Sequence, residues 1–342
     1  MPRRILSLAV RALCLLLALG LLARMLHRQE GLFGQRPLTG NFLLFGSLAL
    51  LLYLGVQFLG AWRWNLLLKA QGLGLPYLQA LRLTLGGNFF SLVIPGGVSG
   101  DLVKVGAATA AHPGKAPELA LADLLDRGIG LMGLFWAGLL SLCLLFGAPW
   151  ARLREHCPAL LTAGMAAIFL GVGASLLGAL GWHLWPTVSR SPLWEKAAAH
   201  TPQFLQSAFR RLGYALAPYR GKPRVLLWTL GVSILIHLLL GGEFFLLAKA
   251  LGESALGIPA YLLATQLANA TALLPLTPGG LGVRDTVAES LFLAFGASPQ
   301  DCATLIPLFY TFILTFWGMA GGLLYALTPS PPQSTPPKTP QR

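Results

Sequence analysis

Long apolar runs without charged residues dominate the pattern of this chain. A helix needs about 20 mainly apolar residues to cross the roughly 30 Å of hydrocarbon in a bilayer. A run at 5–23 is broken only by Arg11 near its basic end. The runs that contain no Asp, Glu, Lys or Arg cover residues 42–61, 129–151, 157–182, 225–242 and 302–327. The pattern therefore predicts an all-α, polytopic membrane helical bundle with about six full spans.

The two ends of the chain differ in character, one apolar and the other rich in proline. The run at 5–23 follows Arg3 and Arg4, as the apolar part of a secretory signal peptide would. No clean small-x-small cleavage motif ends it, so we interpret it as an uncleaved first helix. Residues 1–327 are accordingly predicted to form one integral membrane domain. Residues 328–342 are rich in Pro, Ser and Thr and predict a disordered tail.

Composition supports this interpretation and excludes two others. The 342 residues are 55% hydrophobic and 11% charged, with a mean hydropathy of +0.66, whereas ordinary soluble domains are about 25% charged. The formal net charge is +13, but the basic residues lie in loops between spans and form no single stripe for nucleic acid. The four cysteines are scattered without metal-ligand spacing.

Basic residues predict the orientation, because short loops rich in Lys and Arg tend to stay in the cytoplasm. The region 183–224 holds seven basic residues against the single acid Glu195, so it is predicted to be cytoplasmic. Both chain termini are then cytoplasmic as well. Basic residues that this topology places outside argue mildly against it. Within the region, apolar residues at helical spacing between 204 and 216 suit an interfacial amphipathic helix, with a solvated connector as the alternative.

Two segments of the chain resemble each other. Each begins with a proline, carries an asparagine deep in an uncharged run, reaches Pro-Gly-Gly at the same spacing, and is followed by an aspartate. In the first segment these residues are Pro76, Asn88, Pro95, Gly96, Gly97 and Asp101, and in the second they are Pro259, Asn269, Pro278, Gly279, Gly280 and Asp285. The copies fall in halves of about 41–147 and 224–327, joined by a region that includes the basic loop.

Pro-Gly-Gly should interrupt a helix at membrane depth, because proline lacks an amide donor and glycine is conformationally free. Broken backbone survives in hydrocarbon only where protein or a watery cavity surrounds it. We therefore expect two re-entrant broken-helix hairpins that face each other. The predicted orientation makes the first open inside and the second outside, an inverted repeat of the kind that builds substrate sites in transporters. Ordinary kinks are the alternative.

Ionisable residues beside these segments are costly in a membrane and tend to mark a pathway. They form four groups: Asp101 with Lys104; Asp126 with Arg127; Arg284, Asp285 and Glu289 after Gly282; and Glu243 inside a span, with His237 nearby. The first pair could instead sit at the interface, and Arg127 could be an interfacial anchor. For Glu243 we expect an internal partner such as Arg284 or Arg127.

Together these motifs resemble the lysylphosphatidylglycerol synthase transmembrane region family, also called flippase-like membrane proteins. The matching stretches are NFFSLVIPGGVSGDLVK at 88–104, DRG at 126–128 and LPLTPGGLGVRD at 274–285. Lys104 stands where the family usually has Arg, and Asp285 where it usually has Glu. The resemblance implies a bacterial inner-membrane protein whose relatives translocate modified lipids or help to synthesise them. The full synthases of this family also carry a soluble aminoacyl-transferase domain, whereas here a short Pro-rich tail follows the last predicted span, so we do not expect this chain to aminoacylate lipid.

The leading hypothesis is a flippase or transporter for a lipid with a polar phospho- or glyco-headgroup. Lys104, Arg127 and Arg284 would attract the headgroup, helped by helix N-termini at the breaks. The alternatives are a membrane-embedded transferase with one of the acids as base, and a non-catalytic subunit that recruits lipid-modifying enzymes. No P-loop, His-Glu-x-x-His or Gly-x-Ser-x-Gly motif supports an enzyme. We expect membrane lipids as partners and no cofactor.

Overall fold

The computed structural model describes residues 39–94, 99–145, 153, 155–188, 191, 216–271 and 282–327. Regular structure in these residues is helical, with no strand among them. The main helices in chain order are α1 (Gly40–Ala70), α2 (Tyr77–Val93), α3 (Ser99–Ala108), α4 (Ala116–Leu144), α5 (Pro158–Val188), α6 (Pro223–Leu251), α7 (Ile258–Thr271), α8 (Val283–Phe295) and α9 (Cys302–Leu327).

Helices α1, α4, α5, α6 and α9 are long and apolar enough to cross a bilayer. They confirm the five charge-free runs that the sequence predicts as spans. Helix α1 continues beyond its run to Ala70 and so carries Arg63 inside a spanning helix. The predicted span at 5–23, most of the basic loop and the Pro-rich tail lie outside the described residues.

Shorter helices separate the spans at two places. Helices α2 and α3 have 17 and 10 residues, and α7 and α8 have 14 and 13. At about 1.5 Å per residue none of the four could cross 30 Å of hydrocarbon alone. Across the described residues the helix order long, short, short, long therefore occurs twice. Residues 95–98 between α2 and α3, and residues 272–281 between α7 and α8, lie outside the described part of the chain, and they include Pro-Gly-Gly at 95–97 and 278–280.

Glycines in the left-handed region define the ends of α6 and α8. Gly252 follows α6 with φ +78°, and its amide bonds the last turn of that helix. Gly282 precedes α8 with φ +85°, and Gly296 follows it with φ +90°. Residues with a side chain rarely adopt this conformation, so glycine fixes the direction in which the chain enters and leaves both helices.

The loop between α6 and α7 is ordered by one buried acid, Glu253. Its carboxylate accepts hydrogen bonds from the backbone amides of Ala255 (2.7 Å) and Leu256 (3.0 Å) and from the hydroxyl of Tyr261. Since the charged oxygens receive several donors, this buried carboxylate is a structural group that fixes how α7 leaves α6.

Helices α1 and α6 pack along each other at the centre, with α9 against α2 and α7 against α4. Aromatic rings fill the junction of the last four helices. The ring centroids of Phe244 and Tyr310 are 4.5 Å apart, and those of Tyr261 and Phe292 are 5.4 Å apart. This packing brings the middle of α6 beside α8 and α9, where the polar residues described below meet.

Close backbone contact between α9 and α2 predicts a strong effect of substitution at Gly321. A Cβ at Gly321 would overlap the carbonyl oxygen of Leu85 in α2. Gly321→Ala should therefore lower the free energy of unfolding by about 1–3 kcal/mol, since a packed backbone must move apart. Thermal unfolding in detergent measures the effect. Gly60→Ala in α1 is the control, because no atom lies within 4 Å of its Cβ position, and equal losses in both variants would contradict the prediction.

Candidate functional site

Six charged side chains from α1, α3 and α4 lie close together, as one ion pair and a set of four linked residues that interact electrostatically. We call these six side chains the first charged cluster. Its members are Arg63, Asp101, Lys104, Asp123, Asp126 and Arg127. Three are cations and three are acids, so the cluster is neutral when all are ionised. Such balance is what allows charged groups to persist inside a membrane protein.

The best-ordered pair of this cluster joins α1 to α4. The Arg63 guanidinium donates from Nε and Nη2 to the two oxygens of Asp126 at 2.8 Å and 3.0 Å. Its Nη1 also donates to the hydroxyl of Ser233 in α6 at 2.9 Å. Both charged side chains are only 11% exposed. This bidentate, buried arrangement ties three spanning helices together.

The remaining pairs connect α3 to α4. The Lys104 ammonium pairs with Asp123, lies 3.7 Å from Asp101 and sits over the ring of Trp64, 4.6 Å from its centroid. The Arg127 Nε donates to Asp101. Lys104 is 9% exposed, whereas Arg127 is 41% exposed. Within this cluster Arg127 and Asp101 therefore form the accessible edge, and Lys104 is enclosed.

The sequence predicts part of this arrangement. The expected pairing of Asp101 with Lys104 is present, and Asp126 and Arg127 lie in the same cluster. Asp123 and Arg127 share a face of α4, and each is paired with a residue of α3, Asp123 with Lys104 and Arg127 with Asp101. Sequence reasoning missed Arg63, although an arginine just beyond the apolar run at 42–61 was a signal that the span carries a buried charge.

A second group, which we call the Arg284 cluster, lies where α6, α8 and α9 meet. Arg284 is 3% exposed. Its Nη2 donates to the Thr311 hydroxyl at 2.6 Å and lies 3.3 Å from Asp285, and its guanidinium carbon is 4.6 Å from the centroid of the Tyr310 ring. The cation is thus held by one carboxylate, one hydroxyl and one aromatic face.

Glu243 belongs to the same cluster and is fully buried in α6. Neither of its carboxylate oxygens has a hydrogen-bond partner among the described residues. Arg284 is the charged group that acts on it electrostatically. The partner predicted for Glu243 is thus nearby, but no hydrogen bond joins the two. His237, two turns earlier, contacts the carbonyl oxygen of Gly130 at 3.1 Å, as a packed histidine would.

The asparagines of the two similar segments are each linked by hydrogen bonds to a tyrosine that interacts electrostatically with Glu243 and Arg284. The Asn88 amide of α2 donates to Gln57 of α1 at 2.6 Å, and Gln57 in turn contacts the hydroxyl of Tyr53. Asn269 of α7 contacts the hydroxyl of Tyr310. Tyr53 and Tyr310 lie side by side, with ring centroids 6.3 Å apart. A continuous set of polar groups therefore joins α2 to α7 through the centre of the bundle.

The other predicted site residues have local partners. Gly282 donates its amide to Asp285 at 3.1 Å, which caps the start of α8. Glu289 accepts a hydrogen bond from Thr304 at 2.6 Å and does not join the Arg284 cluster. The remaining ones, Pro95, Gly96, Gly97, Pro278, Gly279 and Gly280, lie outside the described residues.

The comparison with known protein families agrees with the resemblance that the motifs indicate. A family model described as lysylphosphatidylglycerol synthase TM region matches residues 4–321, nearly the whole chain. No curated protein and no solved structure matches.

Proposed function

The chain belongs to the lysylphosphatidylglycerol synthase TM region family, and from this premise we propose that it moves a polar-headgroup lipid across the membrane. The observation that carries the proposal is the Arg284 cluster. It places a buried cation, several neutral polar groups and a carboxyl that has no hydrogen-bond partner among the described residues in the interior of the bundle. Buried ionisable groups of this kind are costly in a bilayer and characteristically serve a substrate or ion pathway.

An inverted repeat would explain why the two similar segments meet at this cluster. If α1 to α4 correspond to α6 to α9, the central contact of α1 with α6 joins equivalent helices. The contact of α2 with α9 then corresponds to that of α7 with α4. The breaks at 95–97 and 278–280 would lie on opposite sides of one site, as in transporters built from inverted repeats. This assignment supports transport by alternating access.

We assign the headgroup to Arg284 and not to Lys104. The sequence suggests Lys104, Arg127 and Arg284 as three attracting cations. In the structure Lys104 already has two acidic partners, Asp101 and Asp123, and lies over the Trp64 ring, so its charge is balanced within the protein. The contacts of Arg284 with Asp285 are long, at 3.3 Å and 3.4 Å, so a phosphate oxygen could replace that carboxylate at the guanidinium. Arg127 and Asp101, at the accessible edge, would meet the headgroup on its way.

The basic residues of the loop at 183–224 favour the orientation in which this loop and both chain termini are cytoplasmic. The family resemblance favours a bacterial inner membrane. In this orientation the segment at 76–101 opens to the cytoplasm and the segment at 259–285 to the opposite side.

The experiment that tests the proposal measures headgroup-labelled lipid in liposomes that contain the purified protein. A membrane-impermeant reagent destroys the label in the outer leaflet and so reports how fast labelled lipid arrives from the inner leaflet. We expect faster exchange of anionic phosphatidylglycerol than in liposomes without protein. Exchange no faster than in empty liposomes with any headgroup, anionic, zwitterionic or glycosylated, would contradict the proposal.

A further inference from the structure

Glu243 is the acid whose surroundings in the structure least suit an ionised carboxylate. It is fully buried in a spanning helix, and both oxygens lack a hydrogen-bond partner among the described residues. Glu253 shows the contrast, because that buried carboxylate receives two backbone amides and a tyrosine hydroxyl. An isolated ionised carboxylate in an apolar interior carries a large desolvation cost, which binding of a proton removes.

The groups around Glu243 do not compensate a negative charge there. Tyr53 of α1 and Tyr310 of α9 interact with Glu243, and their hydroxyls are hydrogen-bonded to the uncharged amides of Gln57 and Asn269. From α8 come Arg284 and Asp285, which already form an ion pair. The ionised set of Arg284, Asp285 and Glu243 would therefore carry one excess negative charge.

Charged groups elsewhere on or against α6 are engaged at other levels. On the α4 side, Asp126 is paired with Arg63, which also contacts Ser233 of α6. Ser233 is ten residues before Glu243, so this pair lies about 15 Å from Glu243 along the axis of α6. On α6 itself, His237 contacts Gly130 and Lys249 lies over the Phe245 ring. Among the described residues, Arg284 is thus the cation placed to balance Glu243.

We propose that Glu243 is a proton-binding site and that its protonation is coupled to binding of an anionic headgroup at Arg284. The coupling rests on the proposed function. With a proton on Glu243, Arg284 has only Asp285 as an acidic neighbour, and its guanidinium can accept a phosphate. When the proton leaves, the Glu243 carboxylate attracts the guanidinium and competes with the phosphate. A proton on Glu243 therefore favours binding of the phosphate to Arg284, and loss of that proton favours contact between the Glu243 carboxylate and Arg284.

The balance of charge follows from this competition. One proton from the water on the entry side joins the Glu243 carboxylate as one phosphate, carrying one negative charge, joins Arg284. On the exit side the proton returns to water and the lipid returns to the leaflet. Each cycle moves one proton with one anionic headgroup, so it carries no net charge. Transport of phosphatidylglycerol should then respond to a pH gradient and not to membrane potential.

The coupling is tested with labelled phosphatidylglycerol in proteoliposomes under an imposed pH gradient, or under a potassium diffusion potential without one. With one proton per lipid, we expect wild type to approach about a tenfold difference of label between leaflets for each pH unit, and no difference under the potential. Glu243→Gln should lose the response to pH. Glu118→Gln is the matched control, since Glu118 pairs with Lys115 at the exposed start of α4, and it should behave as wild type. A response of Glu243→Gln equal to that of wild type would overturn the coupling.

A second measurement tests Glu243 without transport. Infrared difference spectra of purified wild type and Glu243→Gln, each with phosphatidylglycerol bound, should at neutral pH show a carbonyl band of a protonated carboxyl that is present in wild type and lost in Glu243→Gln. Spectra without that band would overturn the proton site. If wild type moves no lipid at all, the transport proposal and the coupling both fall, while the infrared band still decides whether Glu243 holds a proton.

Discussion

Replacing Arg63 with alanine is expected to lower the free energy of unfolding by about 3–5 kcal/mol, the cost of leaving one buried charge of an ion pair without its partner. Asp126 would lose both hydrogen bonds from the guanidinium, and Ser233 would lose its donor. Because both charged side chains are only 11% exposed, water can replace little of what is lost. The midpoint of thermal unfolding in detergent measures the effect.

A second substitution separates the lost charge pair from lost packing. In Arg63→Gln with Asp126→Asn, two neutral amides replace the pair, and no uncompensated charge remains. The double variant should recover a large part of the stability that Arg63→Ala loses. Lys115→Ala is the control for removing a cation, since Lys115 is 54% exposed in its pair with Glu118 and such pairs contribute little. A double variant as unstable as Arg63→Ala would show that packing, and not charge, dominates at this position.

The spans could be predicted from the sequence, whereas the partners of their charges could not. A run such as 302–327 is long and free of charge, and only a spanning helix satisfies its backbone in hydrocarbon. The local pair of Asp101 and Lys104 followed from a spacing of three residues on a helix. Arg63 and Asp126 are 63 residues apart in the chain, and no periodicity relates them. Their pairing depends on how α1 packs against α4.

The centre of the bundle illustrates the same limit. The repeat identified Asn88 and Asn269 as equivalent residues, but their contacts Gln57 and Tyr310 lie in helices whose sequences look uniformly apolar. A tyrosine or glutamine within such a run has little weight in a hydrophobicity pattern. It becomes a polar group of the site only when two or more helices place such residues at one level.

The two charged groups of the structure differ in a way that suggests different roles. The first charged cluster has three cations and three acids, each with a partner of opposite charge, which suits a structural connection between α1, α3 and α4. Among the described residues, the Arg284 cluster has one cation, a carboxylate at 3.3 Å and an acid that makes no hydrogen bond. An anionic ligand would disturb the first group and complete the second. This difference favours the Arg284 cluster as the substrate site.

Arg284→Ala should accordingly reduce exchange of phosphatidylglycerol in proteoliposomes by about ten- to a hundredfold, the equivalent of one hydrogen bond to a charged group. The reason is that the described part of the cluster offers no second cation to the headgroup. Arg284→Lys keeps the charge but loses the planar fork that can hold two oxygens of a phosphate, and it should show an intermediate rate. Lys115→Ala should exchange lipid at the wild-type rate.

Folding must be separated from transport in this test, because Arg284 also contacts Asp285 and Thr311. Asp285 is 20% exposed and keeps the Thr311 hydroxyl and the Gly282 amide as donors, so loss of Arg284 leaves that acid partly satisfied. The thermal midpoint of Arg284→Ala should therefore fall less than that of Arg63→Ala. A well-folded Arg284→Ala that exchanges phosphatidylglycerol at the wild-type rate would remove this cation from the substrate site. Slow exchange in Arg284→Ala with a wild-type midpoint would instead assign the loss to headgroup binding, since the fold would be intact and only the guanidinium missing.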